Sequence, residues 1–121
     1  MKRILVADDD ATIRRLMEVF LRTLGYDSTI VADGAQALEA AHNQPPDLVI
    51  SDIHMPVLGG LELTQRLRAD ERLAKVPILL FSASISQSDE TRWRDVGADG
   101  FVVKPPTLAG LRETLASMLG G

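Results

Sequence analysis

The sequence predicts an α/β fold built on a parallel sheet of five strands, and three observations carry that reading. Five short apolar runs, at residues 4–7, 26–31, 48–50, 77–81 and 101–103, alternate with helical patterns, which is the signature of βα units. The first, third, fourth and fifth runs read as continuous Val, Ile and Leu, as central strands do when helices cover both faces of a sheet. Four of the runs also end in polar groups: Asp8-Asp9, Ser51-Asp52, Ser82 and Lys104. A length of 121 residues suits one domain with one core.

The elements follow in order. After the first strand, Asp10 is placed to cap a helix whose buried face is Ile13, Leu16, Met17, Phe20, Leu21 and Leu24, with Gly25 to end it. The second helix begins after Asp33, with Gln36 at capping-box spacing, and runs to about Asn43 before Pro45 and Pro46 stop it. A third, from about Gly59 to Asp70, buries Leu63, Thr64 and Leu67. A short fourth helix after Ser88 carries Trp93, covering part of the sheet, and Val96. The last starts from Thr107 as cap and turns Leu108, Leu111, Leu115 and Met118 inward, leaving Gly120 and Gly121 as a frayed end.

Composition narrows the function. Thirteen basic against 17 acidic residues leave a net charge of -4, and no basic run is long enough to follow a phosphate backbone, which argues against direct nucleic-acid contact. Without cysteine there is no disulfide, thiolate nucleophile or thiolate-bound zinc, so any metal must use oxygen or the two histidines. Carboxylates interrupt the first apolar run after four residues, too soon for a signal peptide or a membrane span, so a cytoplasmic protein is expected.

In an open α/β sheet the C-terminal ends of parallel strands share one rim, where ligands bind. Asp8, Asp9, Asp52, Ser82 and Lys104 would meet there: three carboxylates, a hydroxyl and an ammonium. Oxygen ligands of this kind suit Mg²⁺, which would also offset the repulsion within "ILVADDD". Lys104 and Ser82 could then stabilise the equatorial oxygens of a transferring phosphoryl group. A carboxylate can itself be the nucleophile and form an acyl phosphate. Asp52 stands alone at its strand end and is the candidate; Asp8 and Asp9 are adjacent and better placed to hold metal, and Asp10 reads as the helix cap.

The motifs "ILVADDD", "DLVISDIHMPVLGGLEL", "VPILLFSAS" and "GADGFVVKPPT", in that order, resemble the CheY-like receiver domains of response regulators over essentially the whole chain. The resemblance implies a flavodoxin-like (βα)5 three-layer sandwich with strand order 2-1-3-4-5, forming a receiver domain over residues 1–119 with 120–121 as tail. It implies that Asp52 takes a phosphoryl group from a phosphohistidine on a sensor histidine kinase or phosphotransfer protein. Mg²⁺, for which Mn²⁺ could substitute, would be bound by Asp9 and Asp52 directly, by Asp8 through water, and by the backbone carbonyl of His54. Ser82 and Lys104 would contact the phosphoryl group, and Phe101 would be the aromatic that turns inward as Ser82 moves. The signal would leave to a downstream effector through the fourth helix, fifth strand and fifth helix. The family also has a cis Lys–Pro bond at the position of Lys104 and Pro105.

His54 and Ser84 are placed at the mouth of the site, where their side chains would tune phosphoryl lifetime through water access. His42 reads as a surface residue, Gly59 and Gly60 as turn residues, and Met17 and Met118 as core. The leading expectation is a binding module switched by phosphorylation, without turnover of an external substrate. Two alternatives stand beside it. One is a Mg²⁺-dependent phosphatase with an aspartyl-phosphate intermediate, since Asp8-Asp9-Asp10 has the D-x-D spacing of haloacid-dehalogenase-like enzymes; the other is a phosphate-independent scaffold.

Overall fold

The computed structural model describes residues 1–82 and 93–120, apart from the side chain of Ser82. Five parallel strands, β1 (Arg3–Ala7), β2 (Asp27–Val31), β3 (Leu48–Asp52), β4 (Ile78–Ser82) and β5 (Gly100–Val103), form one sheet in the order β2-β1-β3-β4-β5. The helices are α1 (Ala11–Thr23), α2 (Gly34–Asn43), α3 (Gly60–Ala69), helical residues 93–95 labelled α4, and α5 (Leu108–Leu119). The fourth helix expected after Ser88 falls largely outside the described residues. None of the described helices is long and apolar enough to cross a membrane.

Alternation along the strands divides the core into layers. Ile4, Val6, Leu48, Ile50, Leu79 and Phe81 face α1 and α5, packing on Met17, Leu21, Leu111 and Leu115. Leu5, Ala7, Val49 and Ile78 face the other way, toward Ala37 and Ala41 of α2 and Leu63 and Leu67 of α3. A smaller cluster joins Ile53, Leu80 and Trp93, so the tryptophan does cover part of the sheet. The expected three-layer sandwich and strand order are both present.

Helix ends follow from local chemistry. Asp10 Oδ1 accepts from Thr12 N at 2.8 Å, Asp33 Oδ1 from Gln36 N at 2.8 Å and Thr107 Oγ1 from Gly110 N at 3.0 Å, so all three expected caps are made. The Gln36 side chain reaches back one residue further than a capping box requires, accepting from Ala32 N at 3.0 Å. At the end of α1, Gly25 takes φ +86° while its N–H donates to Arg22 O and Tyr26 N–H donates to Leu21 O. This left-handed closing turn uses Tyr26, which is why β2 begins at Asp27 and not at Tyr26.

Two expectations about burial are corrected. The fifth run is an edge strand, not a central one: its residues are only partly covered and Val103 is 51% exposed, because the strand order leaves β5 with one neighbour. Leu16 and Leu108 are only half-buried, outside the two main clusters. The inward stripe of α1 centres on Met17 and Leu21, and that of α5 on Leu111 and Leu115, so both residues sit at the margins.

The loop after β3 contains one strained residue. Val57 has φ +69°, and Leu58 N–H donates to Pro56 O at 2.7 Å, closing a three-residue turn around it. A β-branched residue at positive φ costs about 1–3 kcal/mol, and with 80% of its surface exposed Val57 recovers little by packing. Val57→Gly is expected to raise the unfolding free energy by about 1 kcal/mol in a denaturant titration, relief of strain outweighing the added freedom of the unfolded chain. A less stable variant would show that the turn is not strained.

Candidate functional site

The parallel register sets the ends of β1, β3, β4 and β5 side by side: Ala7 pairs with Ser51, Asp52 with Phe81, and Ser82 with Val103. Asp8, Asp52 and Lys104, separated by up to 96 positions in the chain, therefore converge on one rim. Lys104 Nζ lies 2.6 Å from Asp8 Oδ2 and donates to Asp52 Oδ2 at 3.0 Å. It also sits 5.1 Å from the centre of the Phe81 ring, a cation–π contact that gives a core aromatic a place in the site. The Lys104–Pro105 bond is cis, matching the resemblance.

Each carboxylate is held differently. Asp8 is fully buried; its Oδ1 accepts from Asp10 N at 2.8 Å, and its own N–H donates to Val31 O at 3.1 Å. Asp52 is buried at the end of β3, its Oδ1 facing a long contact of 3.4 Å from His54 N. Asp9 is exposed beside them. Asp10 spends its carboxylate on the α1 cap, so the second carboxylate of the D-x-D reading is a capping group.

Close packing behind the site depends on Gly60, the first residue of α3: a Cβ there would run into the carbonyl oxygen of Asp52. Gly59, with φ -78°, is the N-cap and makes no side-chain cap bond. Phe101 stands one strand away, half-buried, with its ring 5.6 Å from Trp93 in an edge-to-face pair. The side chain of Ser82, and Ser84 entirely, lie outside the described residues. His54 is exposed, and His42 is a surface residue, as expected, whose Nε2 lies 2.8 Å from Asp70 Oδ2.

Electrostatics follow from this crowding. Burial pushes the Asp52 carboxyl above its ordinary value; Lys104 pulls it down and the Asp8 charge pushes it further up, with upward effects prevailing. Burial alone would lower Lys104, but hydrogen bonding and charge from Asp8 and Asp52 overcome it and raise the ammonium above its usual range. Among the described residues, one ammonium facing three carboxylates leaves two negative charges unmatched.

The donor set fits a divalent cation. Asp8, Asp9 and Asp52 each offer an oxygen, all within 4.8 Å of one another, and the buried Asp8 Oδ2 has Lys104 as its partner among the described residues. Three carboxylate oxygens that can be completed by water are what Mg²⁺ takes.

Two arginines with specific tertiary bonds were not singled out in the sequence. Arg14 Nη1 donates to the Asp8 carbonyl at 2.8 Å. Arg68 joins α3 to the segments leading into β4 and β5, donating to Ala74 O, Val76 O, Gly97 O and Asp99 Oδ2 at 2.7 to 2.9 Å. Both look like ordinary surface cations in sequence, because the partners are mostly carbonyls, which sequence does not display.

The raised Asp52 pKa has a sign that can be measured. A carboxyl whose folded pKa exceeds the unfolded value of 3.8 supports folding below that value and loses its contribution as pH rises through the folded pKa. In metal-free protein, Asp52→Asn is therefore expected to be more stable than wild type at neutral pH, with the advantage shrinking as pH falls toward about 4. Thermal unfolding across this range checks it; a less stable variant at neutral pH would contradict it.

Comparison with known proteins agrees with this geometry. The family model "Response regulator receiver domain" matches residues 4–116. The chain is 37% identical over 114 residues to the chemotaxis protein CheY of Pseudomonas aeruginosa, covering 93% of this chain and 92% of that protein. It is 38% identical over 118 residues to the probable transcriptional regulator ycf27 of Porphyridium aerugineum, covering 98% of this chain but 48% of that protein, so it spans about half the length of that relative. Among solved structures, Vibrio cholerae CheY4 superposes with a TM-score of 0.94 at 34% identity, covering 98% of this chain and 99% of that one. The receiver domain of a sensor histidine kinase from Pseudomonas aeruginosa, solved with a magnesium ion coordinated in its active site cleft, gives 0.92 at 34% identity, covering 99% and 98%. On sequence, topology and rim chemistry together, the chain belongs to the response regulator receiver domain family and has its phosphoacceptor role in two-component signalling.

Proposed function

We propose that Asp52 is the phosphoacceptor, taking a phosphoryl group from a phosphohistidine on a sensor histidine kinase or phosphotransfer protein. The observation that carries this reading is the placement of Asp52 at the centre of the rim, its Oδ2 donated to by Lys104 at 3.0 Å, with Asp8 and Asp9 oxygens within 4.8 Å. The Asp52 carboxylate attacks phosphorus in line with the histidine nitrogen; the O–P bond forms as the N–P bond breaks, and the imidazole leaves with the electron pair.

Lys104 follows the charge. It is shared between Asp8 and Asp52 before transfer and pairs with a phosphoryl oxygen afterwards, and Ser82 at the end of β4 donates to another. Asp9 and Asp52 would hold Mg²⁺, with Asp8 acting through water and the His54 carbonyl as the further protein ligand. When bound, Mg²⁺ supplies the two positive charges the cluster lacks and shields the incoming phosphoryl oxygens from the carboxylates. His54 and Ser84 set the lifetime by controlling water at the mouth. The outcome is a change at α4, β5 and α5, with Phe101 as the moving aromatic, and not turnover of an external substrate.

Acetyl phosphate with Mg²⁺, read by intact mass, tests the assignment. Wild type is expected to gain one phosphoryl group and Asp52→Asn none; an adduct on Asp8 or Asp9 in Asp52→Asn would move the nucleophile, and rapid turnover of phosphomonoesters would make the protein a phosphatase. The neighbouring carboxylates should separate in the same assay. Asp9→Ala is expected to lose Mg²⁺-dependent phosphorylation, while Asp10→Ala keeps it and loses about 1 kcal/mol of stability with its cap. Equal loss in both would mean the three act as one acidic cluster.

A further inference from the structure

An arginine in the first turn of a helix is misplaced on electrostatic grounds, because the N-terminal end carries the positive pole of the helix dipole. Arg14 of α1 is such a residue, in a helix that has no acidic side chain in its first turn. It is half-buried, and its guanidinium is spent on something specific: Nη1 reaches back around the Asp10 cap and donates to the main-chain carbonyl of Asp8 at 2.8 Å.

That bond completes a set of restraints on one residue. The Asp8 N–H is fixed to Val31 O at 3.1 Å, its carbonyl to Arg14, and its Oδ1 to Asp10 N at 2.8 Å. Oδ2 is the remaining oxygen of Asp8, and it faces the Lys104 ammonium at 2.6 Å. Three anchored groups leave a single atom aimed into the rim.

We infer that Arg14 is a positioning residue for the metal cluster: by holding the Asp8 carbonyl it orders the acidic turn, so that Asp8 presents Oδ2 toward the water shell of a divalent cation without paying for that order on binding. The inference rests on the reading of Asp8, Asp9 and Asp52 as a Mg²⁺ site. Outer partners that order the groups around a metal change affinity by about 10- to 100-fold when removed. The positive charge of Arg14 works against the cation, so the direction of the effect discriminates: a residue acting through order strengthens binding, and one acting through charge alone weakens it.

Calorimetric titration of the purified chain with MgCl₂, beside thermal unfolding, separates these. Arg14→Met is expected to bind Mg²⁺ about 10-fold more weakly, and Arg14→Lys, which keeps a donor able to reach the carbonyl, to recover most of the loss. Acetyl-phosphate labelling should follow the same order and be restored in Arg14→Met by proportionally more Mg²⁺. Should Arg14→Met fail to fold, Arg14→Gln gives the same reading, weaker binding supporting the role. Unchanged or tighter binding in the Met or Gln variant while wild type binds would overturn the inference alone. Wild type that binds no Mg²⁺ would overturn the metal site and this role with it.

Discussion

The structure depends on one ammonium group set among carboxylates that would otherwise repel. Lys104 reaches the rim from the end of β5 and contacts Asp8 and Asp52, which leave β1 and β3. Burying two carboxylates is costly, and a single cation shared between them, with Asp9 alongside, balances the charge only in part. The cluster is thus stable enough to fold and still short of two positive charges. A receptor for a divalent cation, and then for a phosphoryl group, follows from that deficit.

The parallel sheet makes the deficit possible. Its strands point the same way, so groups from distant parts of the chain arrive at one edge, above a sheet packed on both faces by apolar helix residues. The same packing ties the site to the rest of the molecule. Ile53, which follows Asp52, packs with Leu80 and Trp93 in the cluster that also receives Phe101, giving a continuous apolar path from Asp52 to α4 and β5.

Much of this is legible in the amino-acid order, for identifiable reasons. Apolar runs and capping residues report local preferences, and Asp10, Asp33 and Thr107 cap as their positions imply. The rim carboxylates and Lys104 are legible because strand ends in a parallel sheet have one destination. Position within the sheet is less so: Phe101 to Val103 has the composition of a central strand yet forms an edge, a consequence of strand order that composition does not encode. The bonds of Arg14 and Arg68 were hidden for a similar reason, since they end largely on backbone carbonyls whose locations are set by tertiary structure. The turn at Val57 ran against local preference, since a valine at positive φ is the opposite of what turn chemistry selects.

The central claim is that two unmatched negative charges at the rim are completed by a divalent cation. Its most direct test is the unfolding free energy measured in denaturant as a function of free Mg²⁺. Wild type should gain about 1.4 kcal/mol for each tenfold increase once Mg²⁺ exceeds its dissociation constant, as one ion bound only by the folded chain requires. A stability that does not change with Mg²⁺, or the same rise in a protein carrying both Asp9→Ala and Asp52→Asn, would contradict the account.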